Sequence, residues 1–123
     1  MDINYIKELK KDHGCSQTTI MGIGNELDLD KDKLALIATG FAGGIGGTFD
    51  EGTCGALSGA VLALGLLEDD PAVIKEQSKE LYEAFKNENG AVSCGALTDN
   101  GNDKSKCVGR CAFMAQKAID FLE

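Results

Sequence analysis

The segment from Cys54 to Leu67 constrains the fold more than any other part of the chain. It reads CGALSGAVLALGLL, and because every position is apolar or small, a helix built from it has no face suited to water. A helix that is apolar on all sides belongs in the centre of a bundle. The segment is shorter than the roughly 20 apolar residues that cross a membrane. We therefore expect it to form the central helix of the core.

Helical periodicity surrounds this central segment. After it, Val73, Ile74, Gln77, Leu81 and Phe85 form one stripe of an amphipathic helix. Similar spacing predicts further helices over about 3–13, 15–27, 32–38 and 104–122. No segment alternates in the manner of a strand. The predicted class is all-α: a compact bundle of five to six helices around a central glycine-rich apolar helix at about 54–67, forming a single domain over residues 1–123.

The charge of the chain restricts its partners. It carries 20 acidic and 12 basic residues, for a net charge of -8. A negative molecule repels phosphate backbones, so we expect no nucleic acid partner. The first residues, MDINYIKELKKDHG, have no apolar secretory core, and we expect no membrane insertion and a cytoplasmic location.

The tetrapeptide Cys-Gly-Ala-Leu occurs twice, beginning at Cys54 and again forty positions later at Cys94. Thr53 is a plausible N-cap for the first copy, which would place the Cys54 thiol where the helix dipole stabilises a thiolate. A buried, inert thiol is the alternative. Because packing does not explain paired cysteines, we predict that Cys54 and Cys94 lie near each other in space.

Glycines around the first copy indicate a groove. Gly55 and Gly59 lie one turn apart on the same helix face, which permits either close helix packing or contact with a cofactor. Gly44, within the stretch GFAGGIGG, is a third candidate for cofactor contact. No Gly-Lys-Ser/Thr follows that stretch, so nucleotide binding is not expected.

Cys107 and Cys111 share one face of the last predicted helix, in the sequence CVGRC. Lys104, Lys106 and Arg110 surround them, which favours either thiolates or an anionic ligand, unless these charges simply form a solvated face. The only histidine, His13, precedes Cys15 by two residues and is a candidate base or ligand, or a surface residue.

The cysteine spacing leaves two kinds of chemistry open. No C-x2-C pair occurs, which argues against a zinc knuckle, and the absence of C-x-x-C-H excludes covalent haem attachment. Sulfurs from separate helices could still bind an iron–sulfur cluster or another metal, or form exchange-active disulfides.

Several motifs together resemble the C-GCAxxG-C-C family of redox-active proteins. They are CSQ at Cys15, GFAGGIGG at Gly40, CGALSGAVLALGL at Cys54, CGAL at Cys94 and a late cysteine followed by a helix. The resemblance places the four family cysteines at Cys15, Cys54, Cys94 and Cys111, with Cys107 as the alternative to Cys111. It implies a redox site formed by these cysteines, without naming a substrate.

Two functions follow as expectations. In the first, the clustered cysteines perform thiol/disulfide exchange, or hold a metal or iron–sulfur centre that transfers electrons, with a redox partner protein or a small thiol or disulfide as substrate. In the second, the domain is a non-catalytic assembly module with buried, inert thiols that docks on a transporter or redox partner. A homo-oligomer is compatible with either function.

Overall fold

The computed structural model describes residues 2–122, and helices account for most of this range. The α-helices are α1 (Ile3–Asp12), α2 (Cys15–Glu26), α3 (Lys31–Ala38), α4 (Gly55–Leu67), α5 (Pro71–Asn89), α6 (Cys94–Thr98) and α7 (Cys107–Leu122). A single 3-10 turn, Thr39–Phe41, follows α3. The all-α prediction is confirmed. The described residues form seven α-helices, where five to six were predicted. The additional helix is α6, whose five residues are too few to show a periodic pattern.

Side-chain caps begin four of the helices. The hydrogen bonds that the caps accept from backbone N–H groups join Asp2 to Asn4, Asp30 to Lys33, Asp70 to Ala72 and Ser93 to Ala96. Pro71 then occupies the first turn of α5, where its missing N–H costs nothing. Gly90 ends the same helix in the left-handed conformation, with φ 80°. These local signals explain why the ends of α5 follow from the sequence alone.

The central helix α4 packs against α2, α5 and α7. Ala56, Ala60 and Leu64 are fully buried within it. Its glycine face lies directly on α2, since a Cβ atom added at Gly59 would be 2.5 Å from the carbonyl oxygen of Ser16. The predicted central position of this helix is therefore confirmed, and close helix packing accounts for Gly59.

The start of α4 differs by one residue from the prediction. Cys54, expected as the first helical residue, is the N-cap, and α4 begins at Gly55. Thr53 does not cap the helix, because it pairs with Ser93 in an isolated antiparallel bridge. The last helix also starts later than predicted, at Cys107 rather than near Lys104.

A glycine-rich loop over residues 42–53 connects the 3-10 turn with α4. Gly43 has φ +56°, and its left-handed backbone allows the carbonyl to accept a hydrogen bond from Phe49 at 2.9 Å. This bond folds the loop back on itself and brings the Phe49 ring to the start of the loop. The loop thereby covers the helix ends that carry Cys15 and Cys94.

Within residues 2–122, no helix has both the length and the apolar character needed to span a bilayer.

Candidate functional site

The two Cys-Gly-Ala-Leu segments meet at the bridge between Thr53 and Ser93. The backbone N–H of Cys54 donates to the Val92 carbonyl at 2.7 Å, and that of Cys94 donates to the Gly52 carbonyl at 2.8 Å. These reciprocal bonds flank the Thr53–Ser93 pair and place the two cysteines diagonally across a short antiparallel bridge. The predicted proximity of Cys54 and Cys94 is confirmed.

A second group of thiols joins α2 to α7. The thiols of Cys107 and Cys111 lie close enough to the Cys15 thiol to shift its pKa. The Cys111 thiol also lies 3.5 Å from the Cys15 backbone carbonyl, to which it donates. Cys107 and Cys111 face the same way because they are separated by four residues on one helix. All five cysteines are free thiols, and Cys15 alone among them is not fully buried.

Three of the five thiols line one cavity of about 260 Å³. Cys15, Cys94 and Cys107 form part of its wall, whereas Cys54 and Cys111 lie behind it in the core. Phe49 and other residues of the glycine-rich loop also line this cavity. We call this space the thiol cavity.

Apart from the thiols, the ionisable side chains on the thiol cavity are basic. Lys10 comes from the last turn of α1, His13 from the α1–α2 junction and Lys104 from the loop before α7. The ammonium group of Lys104 lies 4.9 Å from the centre of the Phe49 ring, a cation–π contact that holds it at the cavity.

The orientation of the His13 ring is fixed by the backbone. Nδ1 lies 2.8 Å from the Leu9 carbonyl oxygen. Since a carbonyl can only accept, Nδ1 carries a proton, and in the neutral ring Nε2 is the free acceptor. His13 therefore brings a proton acceptor to the wall that also carries Cys15.

Burial and mutual contacts raise the pKa values of Cys15, Cys54, Cys94 and Cys107. Burial is the main cause at Cys54, where the pKa rises to about 11, and at Cys94. The pKa of Cys107 is raised by its hydrogen bond to Cys15 and by burial. At Cys15, hydrogen bonding from Cys107 lowers the pKa, but the contact with Cys111 together with burial outweighs it. The prediction that the Cys54 thiol ionises easily is therefore wrong, because desolvation raises its pKa by more than the helix end lowers it.

Arg110 is the buried cation nearest in sequence to the α7 thiols, with 9% of its surface exposed. Its Nε donates to Asn89 Oδ1 at 3.3 Å, and its Nη1 is buried without a hydrogen-bond partner. The charge lowers the pKa values of Cys54, Cys94 and Cys107, although burial or a hydrogen bond dominates at each. Arg110 is thus an internal positive charge that partly offsets the cost of forming a thiolate.

The glycines predicted to contact a cofactor occupy different positions. Gly55 lies on the wall of the thiol cavity. Gly59 faces the Ser16 backbone, and Gly44 packs against Gly52 and the Cβ atom of Cys94. Gly55 is the one member of this set that a molecule in the cavity would meet.

The thiols do not fit a metal ion as they stand. Among residues 2–122, no three His, Cys, Asp or Glu side chains are arranged to hold one. The five cysteines instead form two neighbouring groups, Cys54 with Cys94 and Cys15 with Cys107 and Cys111. Within each group, two sulfurs are available to join in one disulfide.

Several cavity residues carry no recognisable signal in the sequence. Lys10 and Phe49 reach the site only through the packing of α1 and of the glycine-rich loop. Cys107, kept in the sequence prediction as the alternative to Cys111, is the cysteine of this pair that lines the cavity. The sequence signal that could have identified Cys107 as a cavity residue is the pair of lysines just before it, Lys104 and Lys106.

Comparison with known proteins identifies the family. The family model described as "Putative redox-active protein (C_GCAxxG_C_C)" matches residues 13–123, nearly the whole chain. Neither the search of curated proteins nor the search of solved structures found a match. The matched range begins at His13 and contains all five cysteines. The chain therefore belongs to the C_GCAxxG_C_C family of redox-active proteins.

Proposed function

We propose that the protein is a thiol–disulfide oxidoreductase in which Cys15 and Cys107 are the exchanging pair. The observation that carries this proposal is that both thiols line the thiol cavity and lie close enough for each to shift the pKa of the other. Two neighbouring thiols can become one disulfide when their backbones approach within the range that the bond spans. The more exposed of the two, Cys15, is the attacking group, and Cys107 is the resolving group.

The chemistry proceeds in two steps. The Cys15 thiolate attacks one sulfur of a substrate disulfide, forming a mixed disulfide and releasing one thiol. Cys107 then attacks Cys15, which releases the second thiol and leaves a Cys15–Cys107 disulfide. Two electrons and two protons pass from the protein to the substrate, and an external dithiol of the reducing cytoplasm restores the starting state.

His13 and Arg110 would assist ionisation. Because the thiol pKa values are raised, the reaction needs a proton acceptor, and Nε2 of His13 supplies one at the cavity wall. The buried guanidinium of Arg110 stabilises the negative sulfur electrostatically. Cys94 is a third cavity thiol, and Cys54 and Cys111 support the site from the core.

Trapping of the intermediate tests the proposal. Reduced protein is mixed with excess 2-hydroxyethyl disulfide, and the released thiol is counted. We expect two thiols per wild-type molecule and one per Cys107→Ser molecule, which retains a mixed disulfide on Cys15 by mass spectrometry. Cys54→Ser is the matched control and should release two.

Two results would overturn the proposal. If no thiol reacts in the native protein, the domain is better explained as an assembly module with inert thiols. If protein purified without oxygen carries iron and sulfide in stoichiometric amounts, the cysteines serve a cluster rather than exchange.

A further inference from the structure

We propose that the thiol cavity selects low-molecular-weight disulfides that carry carboxylates, and that Lys10 and Lys104 are the residues that select them. This inference rests on the proposed exchange at Cys15 and Cys107. It adds to that exchange the chemical class of the substrate and two specificity-determining residues.

The charge around the cavity is opposite to that of the whole chain. Lys10, His13 and Lys104 line the cavity, and of the described residues on its wall none is acidic. The chain as a whole has 20 acidic against 12 basic residues. A surface patch of average composition would therefore carry more carboxylates than ammonium groups. The cavity instead presents a positive wall within a negative molecule.

Both lysine charges remain available to a ligand. Across residues 2–122, the one salt bridge joins Lys11 to Glu8, so neither Lys10 nor Lys104 is neutralised by a carboxylate. The Phe49 ring holds the Lys104 ammonium without reducing its charge, since the contact is with the face of the ring.

The lysine charges also reach the sulfurs. The charge of Lys10 lowers the pKa values of Cys15 and Cys107, and that of Lys104 lowers the pKa of Cys94. Because both lysines share the cavity wall with Cys15, their charges would attract a carboxylate that lies a few bonds from a disulfide sulfur meeting Cys15.

The dimensions favour a small substrate. A volume of about 260 Å³ lies just below the usual range for small-molecule pockets. Four glycines lie on the wall and present backbone without side chains there: Gly14, Gly43, Gly47 and Gly55. A disulfide with short carboxylate arms fits such a space, whereas a folded protein would have to unfold a segment to enter.

The reaction with this substrate is balanced. Cys15 and Cys107 lose two electrons and two protons in forming their disulfide, and the substrate disulfide gains them to become two carboxylate-bearing thiols. The lysines take no part in the transfer. They raise the local concentration of the anionic substrate and hold its arms.

Three aliphatic disulfides of similar size test the selection: 3,3′-dithiodipropionate, 2-hydroxyethyl disulfide and cystamine, which are dianionic, neutral and dicationic. Rates of thiol loss are measured with reduced protein, and each is divided by the rate of the same disulfide with 2-mercaptoethanol. We expect the dianion to react at least about tenfold faster than the dication, with the difference shrinking at high salt.

Lysine variants test whether Lys10 and Lys104 cause the preference for the dianionic disulfide. The double variant Lys10→Gln/Lys104→Gln should slow the dianion about tenfold and change the neutral disulfide by less than about twofold. Any change in thiol pKa would affect all three disulfides alike, so the neutral one corrects for it. The control Lys75→Gln/Lys79→Gln removes the same charge from exposed positions of α5 and should leave all three rates unchanged.

The outcomes separate the two proposals. Reaction with all three disulfides at equal normalised rates, or an equal effect of the control variant, overturns the selection and leaves the exchange intact. Absence of reaction with every disulfide overturns the exchange itself.

Discussion

The two Cys-Gly-Ala-Leu segments have the same sequence and different environments. The first begins α4, where Cys54 is 2% exposed and Leu57 is 3% exposed within the core. The second forms most of α6, a helix of five residues, where Leu97 is only partly buried and Cys94 lines the thiol cavity. The same four residues therefore serve packing in one copy and access to the cavity in the other.

What the two copies share is the close approach of another backbone to the glycine. A Cβ atom at Gly55 would lie 2.6 Å from the Ser16 nitrogen. At Gly95 it would overlap the Phe49 carbonyl oxygen and lie 2.6 Å from that of Asp50. The repetition thus reflects two helix starts at which another backbone segment approaches the residue after the cysteine. This comparison also shows that helix-end position alone does not decide how a thiol behaves.

The largest expected effect is on stability at the first copy. Gly55→Ala should lower the free energy of unfolding by about 3 kcal/mol, because the new methyl group forces α4 away from the Ser16 backbone. Gly65→Ala is the control in the same helix, where a Cβ atom meets open space. It should raise stability by about 0.5–1 kcal/mol. Denaturant unfolding measures both, and equal effects would contradict the packing role of Gly55.

The second effect is a pH dependence caused by Cys54. Its pKa rises from an ordinary value of 9.0 to about 11 on folding, so the folded protein keeps a proton that the unfolded chain loses. The stabilisation is therefore fully present below pH 9 and is lost as the pH rises toward 11. At about 1.4 kcal/mol per pH unit, the loss is about 2–3 kcal/mol.

Comparison with Cys54→Ala isolates this contribution from the lysines and tyrosines that titrate in the same range. The free energy of unfolding of the variant should fall less steeply between pH 9 and 11. Identical slopes in the two proteins would show that Cys54 is not protected by burial.

A smaller difference is expected in the labelling of the two paired thiols. Cys94 should react with iodoacetamide about tenfold faster than Cys54, because Cys94 reaches the cavity while Cys54 is labelled only when the core opens. Peptide mass spectrometry after short exposures gives the two rates. Faster labelling of Cys54 would reverse the assignment of access and packing.

The smallest effect concerns the end of the second copy. The Thr98 hydroxyl donates to the Cys94 carbonyl at 2.7 Å and accepts from the Gly101 N–H at 2.9 Å. Thr98→Val should cost about 1 kcal/mol in unfolding free energy by removing both bonds, whereas Thr98→Ser should stay near wild type. A Val variant as stable as the Ser variant would mean that these bonds do not fix α6.

Much of the fold was predictable from local signals. The apolar character of 54–67 identified the central helix, and the stripe ending at Phe85 with the cap at Gly90 identified α5. The short helix α6 was missed because its ends are set by the Ser93 cap and by the left-handed Asp99, with no periodicity between them.

The site was predictable only in part, for a physical reason. Repetition and family resemblance indicated which cysteines gather, including the meeting of Cys54 with Cys94. Their ionisation depends on burial, and burial is a property of the tertiary fold that the position in a helix does not reveal. The same holds for Lys10 and Phe49, which lie five residues before Cys15 and Cys54 but belong to no cysteine motif and reach the cavity through packing.

The most direct test of the exchanging pair is the disulfide that forms first. Reduced wild-type protein is treated with one equivalent of 2-hydroxyethyl disulfide, quenched with acid and mapped by peptide mass spectrometry. We predict a Cys15–Cys107 disulfide as the first product, with Cys54 and Cys94 still reduced. A first disulfide between Cys54 and Cys94 would contradict this assignment.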